Sequence, residues 1–182
     1  MNAGLQAPPP VIGWRGFHSE LRRAALAATR TGQPLALLIL ELTGLPQIRQ
    51  SHGAAAAGGL VRAFVSLLEA ELGEEVALAR YAEDRLAIIL PRAGGDALAR
   101  AERIGRILKL ARGGAGTREL EPLPTIGIAE FADDEALGHL IERALDALGR
   151  AKAAGTLAVV AAPARQRRLR AAVVRSSRSG GQ

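Results

Sequence analysis

The chain has 182 residues, a formal charge of +6 and a hydrophobic fraction of 48%, with only 3% aromatic residues. This length suits one domain of common size with tails, and its core should be packed from aliphatic side chains. The absence of cysteine excludes a disulfide framework, thiolate catalysis and Cys-ligated metals. Because no apolar run reaches the ~18 residues of a membrane span and no secretory signal pattern opens the chain, we expect a cytoplasmic protein that is not transmembrane.

The positive charge is concentrated at the end of the chain. Beyond Pro163 there is no acidic residue, and six arginines occur there: Arg165, Arg167, Arg168, Arg170, Arg175 and Arg178. The rest of the chain is balanced in charge. We therefore divide the sequence into a flexible, proline-containing leader (1–13), an ordered domain (14–162) and a basic tail (163–182).

Apolar residues recur at helical spacing from Phe17 to Ala28, which predicts an amphipathic helix that starts near Trp14 and stops before Gly32. The continuous apolar run 35–40 predicts a central strand that is buried on both faces and ends at Glu41. A carboxylate at the end of a buried strand is a candidate metal or substrate ligand. A charge that simply terminates the strand is the alternative.

The later elements alternate between helical and strand patterns. We predict a short helix over 45–51, an interruption over 53–59 and a second helix over 60–72. Hairpin strands at 76–79 and 87–90 come next, followed by a helix from Asp96 to about Ala111 and a loop over 112–118. The last elements are a strand over 124–129, a helix that is N-capped by Asp133 and Asp134 and ends near Gly155, and a strand at 157–161. This order predicts an α/β sandwich of the ferredoxin-like kind.

The hairpin connection carries a charged stretch, Arg80-Tyr81-Ala82-Glu83-Asp84-Arg85-Leu86. Charged side chains at a hairpin tip are well placed for binding or catalysis. A solvated turn without chemistry is the alternative interpretation.

Five segments in the same order resemble the GGDEF domain of diguanylate cyclases, bacterial enzymes that join two GTP molecules into cyclic di-GMP. The segments are Pro34–Glu41, Gly44–Gly53, Arg80–Pro91, Thr125–Ala129 and Ala144–Gly155. The resemblance spans Phe17 to Val160. It implies the nucleotidyl-cyclase fold, with a central, mixed, mostly antiparallel five-stranded sheet flanked by helices.

The family signature, Gly-Gly-Asp/Glu-Glu-Phe, falls on Ala82-Glu83-Asp84-Arg85-Leu86, and only its third position is retained. Glycines at the first two positions would let the backbone approach the phosphates of the nucleotide. Glu83 instead sets a bulky anion against a polyanionic substrate, and Arg85 reverses the charge of a family carboxylate.

The resemblance implies a Mg²⁺ site at Glu41 and Asp84 and a phosphate contact at Lys152. Arg49 stands where the family has a guanine-reading Asn, and it is the other candidate nucleotide contact. Further family positions are replaced by Pro46, Gln50, Gly58 and Thr156. Gly73 and Val76 occupy the Arg-x-x-Asp motif of the inhibitory product site, so we expect no product site.

These replacements favour a degenerate, catalytically inactive GGDEF-like domain that acts as a scaffold related to cyclic di-GMP signalling. It would require no cofactor and would take Mg²⁺ only with residual nucleotide binding. Its partner would be another protein or a second copy, bound through the N-terminal helix. The alternatives are a diguanylate cyclase with residual activity and a binder of anionic surfaces, with no nucleic-acid sequence specificity, through Arg165, Arg167, Arg168 and Arg170.

Overall fold

The structure, a computed structural model, describes residues 11–72, 76–91, 96–111, 123–133, 135–155 and 159–162. Its elements follow the predicted order. They are α1 (Trp14–Thr31), β1 (Leu35–Thr43), α2 (Leu45–Leu72), β2 (Ala77–Arg80), β3 (Arg85–Pro91), α3 (Ala97–Ala111), β4 (Leu123–Glu130), α4 (Leu137–Ala154) and β5 (Val159–Ala161).

The five strands form one sheet in the order β2-β3-β1-β4-β5. All pairs are antiparallel except β4 with β5, which confirms the predicted mixed sheet. Side chains of β1 alternate between two cores because successive residues of a strand point to opposite faces. Leu37 and Ile39 pack with α1 and α4, whereas Leu38 and Leu40 pack with α2 and α3. The apolar run of β1 is therefore buried on both sides, as predicted.

The predicted interruption over 53–59 is wrong in extent. Only Gly53 leaves the helical conformation inside α2, with φ 86° and ψ 167°, and the helix resumes at the next residue. Residues 54–57 are alanines, the strongest helix formers, so they favour helix up to Gly58 and Gly59. By length and composition α2 would also suit a membrane span, but its residues Val61, Phe64 and Leu68 pack in the domain core.

The predicted N-cap of α4 is also wrong. The helix begins at Leu137 with Ala136 as N-cap, and no side chain of the described residues forms a capping hydrogen bond there. Asp133 lies in the preceding turn, and Asp134 is outside the described residues. The buried Glu135 organises this turn instead, because its carboxylate accepts hydrogen bonds from the Ala132 N–H at 3.1 Å and from Arg143 at 2.9 Å.

The end of the predicted flexible leader is attached to the sheet. Ile12 pairs with the edge strand β2: its N–H donates to the Leu78 carbonyl at 3.0 Å, and its carbonyl accepts from the Arg80 N–H at 2.9 Å. Residues 11–13 therefore belong to the ordered domain. Residues 1–10, the loop over 112–118, the positions of Gly73 and Thr156 and the tail over 163–182 lie outside the described residues.

The helix α4 lies directly on β4 because Gly127 has no side chain. A Cβ built on Gly127 would overlap the backbone nitrogen of Leu148 and the backbone oxygen of Ala144. This close approach brings the last turn of α4, which carries Lys152, over the neighbouring strand β1.

Candidate functional site

The hairpin tip is a tight turn fixed by backbone hydrogen bonds. The N–H groups of Tyr81 and Ala82 both donate to the Arg85 carbonyl, at 3.0 and 3.1 Å, and the Asp84 carbonyl accepts from the N–H of Leu42 in β1 at 2.8 Å. The tip is therefore held against the end of the central strand.

Glu41 lies inside β1, two residues before the strand ends at Thr43, so its prediction as the terminal residue of the strand is wrong. Only 4% of its surface is exposed. It faces Arg85 in the β1–β3 register. Arg85 donates from Nε to its Oε2 at 2.8 Å, and Lys152 donates from Nζ to its Oε1 at 2.5 Å. Both carboxylate oxygens thus carry a cationic donor.

The ionisation of Glu41 follows from this environment. Burial opposes the charged form, but the hydrogen bonds from Lys152 and Arg85 and the charges of these two cations outweigh it. Together they hold the pKa of Glu41 below its usual value. Glu41 is therefore a carboxylate at neutral pH, and its charge is neutralised within the protein.

A second ion pair crosses from α2 to the hairpin tip. Arg49 Nη1 contacts Glu83 Oε1, with 36% and 65% of the two side chains exposed. The Glu83 carbonyl also accepts a hydrogen bond from Arg80 at 3.1 Å. The Nε atom of Arg49 is buried and has no hydrogen-bond partner among the residues that the structure describes. The candidate nucleotide contact Arg49 is thus paired with Glu83, one of the replaced signature positions.

These residues do not fit a Mg²⁺ ion. Mg²⁺ requires an octahedral set of oxygen ligands, usually with one or two carboxylates. Both Glu41 oxygens are taken by cations, and the half-buried Asp84 carboxylate is the other candidate ligand. Within the described ranges, no group of three or more His, Cys, Asp or Glu residues could hold a metal.

The other replaced positions contribute no charge to this region. Pro46 and Gln50 are exposed on α2, and Gly58 lies further along the same helix. Val76, one of the two positions of the inhibitory motif, is 3% exposed and packs in the core. Its side chain is therefore unavailable to a ligand.

Sequence reasoning singled out most of these residues but missed their pairing. The opposite charges of Arg49 and Glu83, and of Arg85 and Glu41, were the sequence signal for this pairing.

The sequence analysis also missed an aromatic contact between α1 and the hairpin. The centroid of the Tyr81 ring lies 4.8 Å from that of Trp14 and 5.9 Å from that of Phe17. The first helix therefore contacts the residue that precedes the signature positions.

The family model of the diguanylate cyclase GGDEF domain matches residues 11–157. The chain belongs to the GGDEF family. Among proteins of curated function, none matches this sequence significantly.

Solved GGDEF structures share its fold. The GGDEF domain of DgcB from Caulobacter crescentus, in complex with cyclic di-GMP, is 23% identical, with a TM-score of 0.76 over 89% of this chain and 97% of that one. The GGDEF domain of TpbB (YfiN) from Pseudomonas aeruginosa is 25% identical, with a TM-score of 0.73 over 84% and 90%. An active GGEEF domain from Vibrio cholerae is 18% identical, with a TM-score of 0.76 over 86% and 99%.

Proposed function

We propose that this GGDEF domain is catalytically inactive and serves as a protein-interaction scaffold in signalling related to cyclic di-GMP. The observation that carries the proposal is the neutralisation of Glu41 by Arg85 and Lys152. Glu41 stands at a position that the family uses for a cation, and Lys152 at one that it uses for phosphate. In this chain the two side chains bind each other.

The free energy of these contacts opposes their release. A hydrogen bond between charged groups contributes about 1.5–3 kcal/mol, and Glu41 accepts one from each of two cations. A Mg²⁺ ion would have to displace both cations from a carboxylate with little exposed surface. For Arg49 to contact GTP phosphates, its ion pair with Glu83 would have to break, and the released Glu83 carboxylate at the tip would repel the phosphates.

Calorimetric titration with Mg²⁺-GTP and, separately, with cyclic di-GMP tests the proposal. We expect no saturable heat from either ligand at millimolar concentration. Micromolar binding of GTP would contradict the proposal and would make residual diguanylate cyclase activity, through Glu41, Asp84 and Lys152, the function to assay.

Two variants sharpen this test. The triple variant Arg49→Asn, Glu83→Gly and Arg85→Glu removes two of the three ion pairs described at the site, leaves the pair of Lys152 with Glu41, and returns three positions to family residues. It should bind Mg²⁺-GTP at least about tenfold more tightly than the wild type. The matched control is Arg103→Ala, which breaks an ion pair with Glu71 between α2 and α3. It should leave GTP binding unchanged.

The scaffold role needs no bound cofactor, and it requires a surface for a partner. We propose α1 as that surface, because it lies on the outside of the domain and its aromatic residues contact Tyr81 next to the hairpin tip. A protein bound to α1 would thus contact the helix that packs against Tyr81, the residue before the altered signature.

A further inference from the structure

The outer face of α1 has a regular pattern of its own. The inner face, with Phe17, Leu21, Ala25 and Ala28, is buried against the sheet. On the outer face Arg22, Leu26 and Arg30 follow one another at intervals of four residues, so they form a single stripe. Leu26 is 64% exposed, the highest value among the exposed large hydrophobic side chains of the described residues. An apolar side chain thus lies between two arginines.

This stripe forms one wall of a groove. The groove, of about 870 Å³, runs between α1 and the segment that leads into α4. Leu26 and Ala25 line it on one side, and Phe131, Ala136 and Leu137 line it on the other. Phe131 and Leu137 are only half-buried. The recess therefore offers apolar surface beside the second half of α1.

The charge around the groove is positive. Arg22 and Arg30 line it and form no ion pair with any residue in the described part of the chain, whereas Arg23 pairs with Glu20. The one acidic residue of the lining is Glu135, whose fully buried carboxylate is bound by Arg143. The groove thus combines an apolar interior with a cationic rim.

We propose that this groove binds an amphipathic helix of another protein, whose apolar stripe is flanked by acidic residues. The apolar stripe would pack on Leu26, Phe131 and Leu137, and the carboxylates would pair with Arg22 and Arg30. The groove follows α1 from Arg22 to Arg30, a length of about 13 Å, so a partner helix of about three turns covers it. The inference rests on the proposed scaffold role and states the chemistry of its partner.

Other occupants fit less well. A second copy bound through the same face would bring the arginines of the two α1 helices together in a two-fold contact, where like charges repel. A flat membrane surface would reach Leu26 but not the recessed side chains of Phe131 and Leu137. Nucleic acid phosphates would pair with the arginines but would leave the apolar lining without a partner.

A displayed library of 18-residue helical peptides with randomised side chains tests the proposal. Selection on the full chain should enrich peptides with Leu, Ile or Phe at positions i, i+4 and i+7 and with Glu or Asp beside them. Leu26→Asp should weaken the selected peptides at least about tenfold. Leu98→Asp changes a leucine on α3 that is 42% exposed and should leave their affinity unchanged. Both variants should fold, since both side chains are exposed.

Charge reversal gives a second readout. The double variant Arg22→Glu, Arg30→Glu should lose the acidic peptides and select basic ones.

The proposal is overturned if the wild type enriches no peptide, if it enriches basic peptides, or if Leu26→Asp leaves the binding of the enriched peptides intact. It is also overturned if phosphatidylserine vesicles or duplex DNA bind in a Leu26-dependent manner in place of the peptides, or if Leu26→Asp dissociates a dimer of the chain. GTP binding in calorimetry would contradict the inactive scaffold but not the groove, so the two failures are distinguishable.

Discussion

The Glu41 carboxylate is buried in the sheet and accepts hydrogen bonds from Arg85 and Lys152. Because its pKa is held below the ordinary value, its ionised form stabilises the folded state above the pKa of an unfolded glutamate, about 4.3. That stabilisation is lost as the pH falls through the lower pKa of the folded state. We therefore expect the free energy of unfolding of the wild type to decrease steeply with acidification below about pH 4.5.

Glu41→Gln should abolish this part of the pH dependence. At pH 7 the variant should be less stable than the wild type by about 1–3 kcal/mol, because two charge-assisted hydrogen bonds are weakened while Arg85 and Lys152, which are partly exposed, turn to solvent. Urea unfolding at a series of pH values measures both effects. Parallel pH profiles for the two proteins would show that Glu41 is not held by these contacts.

At the residue scale the sequence predicted which positions to inspect but not how they pair. Glu41, Asp84 and Lys152 were predicted as candidate ligands from the resemblance, and Glu83 and Arg85 as replacements in the signature. That Arg85 faces Glu41 depends on the β1–β3 register, and that Arg49 reaches Glu83 depends on how α2 packs beside the hairpin. Neither contact is encoded by spacing along the chain.

At the element scale, the close packing of α4 on β4 depends on Gly127. Gly127→Ala should destabilise the fold by about 3 kcal/mol or more, since the new methyl group would overlap the α4 backbone, which cannot move as a flexible side chain can. It should also displace Lys152 from Glu41. Gly149→Ala is a matched control in α4, where a Cβ meets no atom within 4 Å. It should stabilise the protein by about 0.5–1 kcal/mol.

Urea unfolding of the two glycine variants checks this expectation. Equal stabilities for Gly127→Ala and the wild type would mean that α4 has room to shift on the sheet.

The role of a glycine is hard to infer from sequence, as three glycines of this chain illustrate. Gly127, Gly149 and Gly53 all lie within regular elements, yet one allows close packing, one faces open space and one has a positive φ.

Periodicity predicted the existence and order of the helices and strands because each has a clear apolar pattern. It predicted boundaries less well. The run of alanines in α2 and the buried Glu135 before α4 outweighed the turn signals of Gly58, Gly59 and Asp133. In α2 the helix propensity of the alanines outweighed the two glycines. Before α4 the turn is organised by the ion pair of Glu135 with Arg143 and not by Asp133 as N-cap.

At the scale of the whole molecule, the order of elements and the resemblance were sufficient to predict the fold. They did not predict the strand order β2-β3-β1-β4-β5, because periodicity identifies elements and not their neighbours. The groove beside α1 could not be predicted from the sequence either. It arises where the outer face of one helix meets a turn more than 100 residues away in the chain.

The basic tail permits a separate prediction for the whole chain. Residues 163–182 hold six arginines and no acidic residue, while the rest of the chain is balanced in charge. We expect the full chain to bind heparin at low salt through counterion release and to elute as salt rises. A chain truncated after residue 162 should not be retained. Because the tail has no aromatic residue to stack on bases, unrelated DNA sequences should compete with heparin equally well.

The arginines of α1 are the necessary control, since they form a cationic surface within the described part of the chain. The double variant Arg22→Glu, Arg30→Glu should still bind heparin through its tail, whereas the truncated chain should still bind the acidic helical peptides through its groove. Retention of the truncated chain on heparin would assign the anionic-surface contact to the domain. If truncation also abolished peptide binding, the groove and the tail would belong to one site. At two separate sites, truncation should affect only heparin binding and the arginine substitutions only peptide binding.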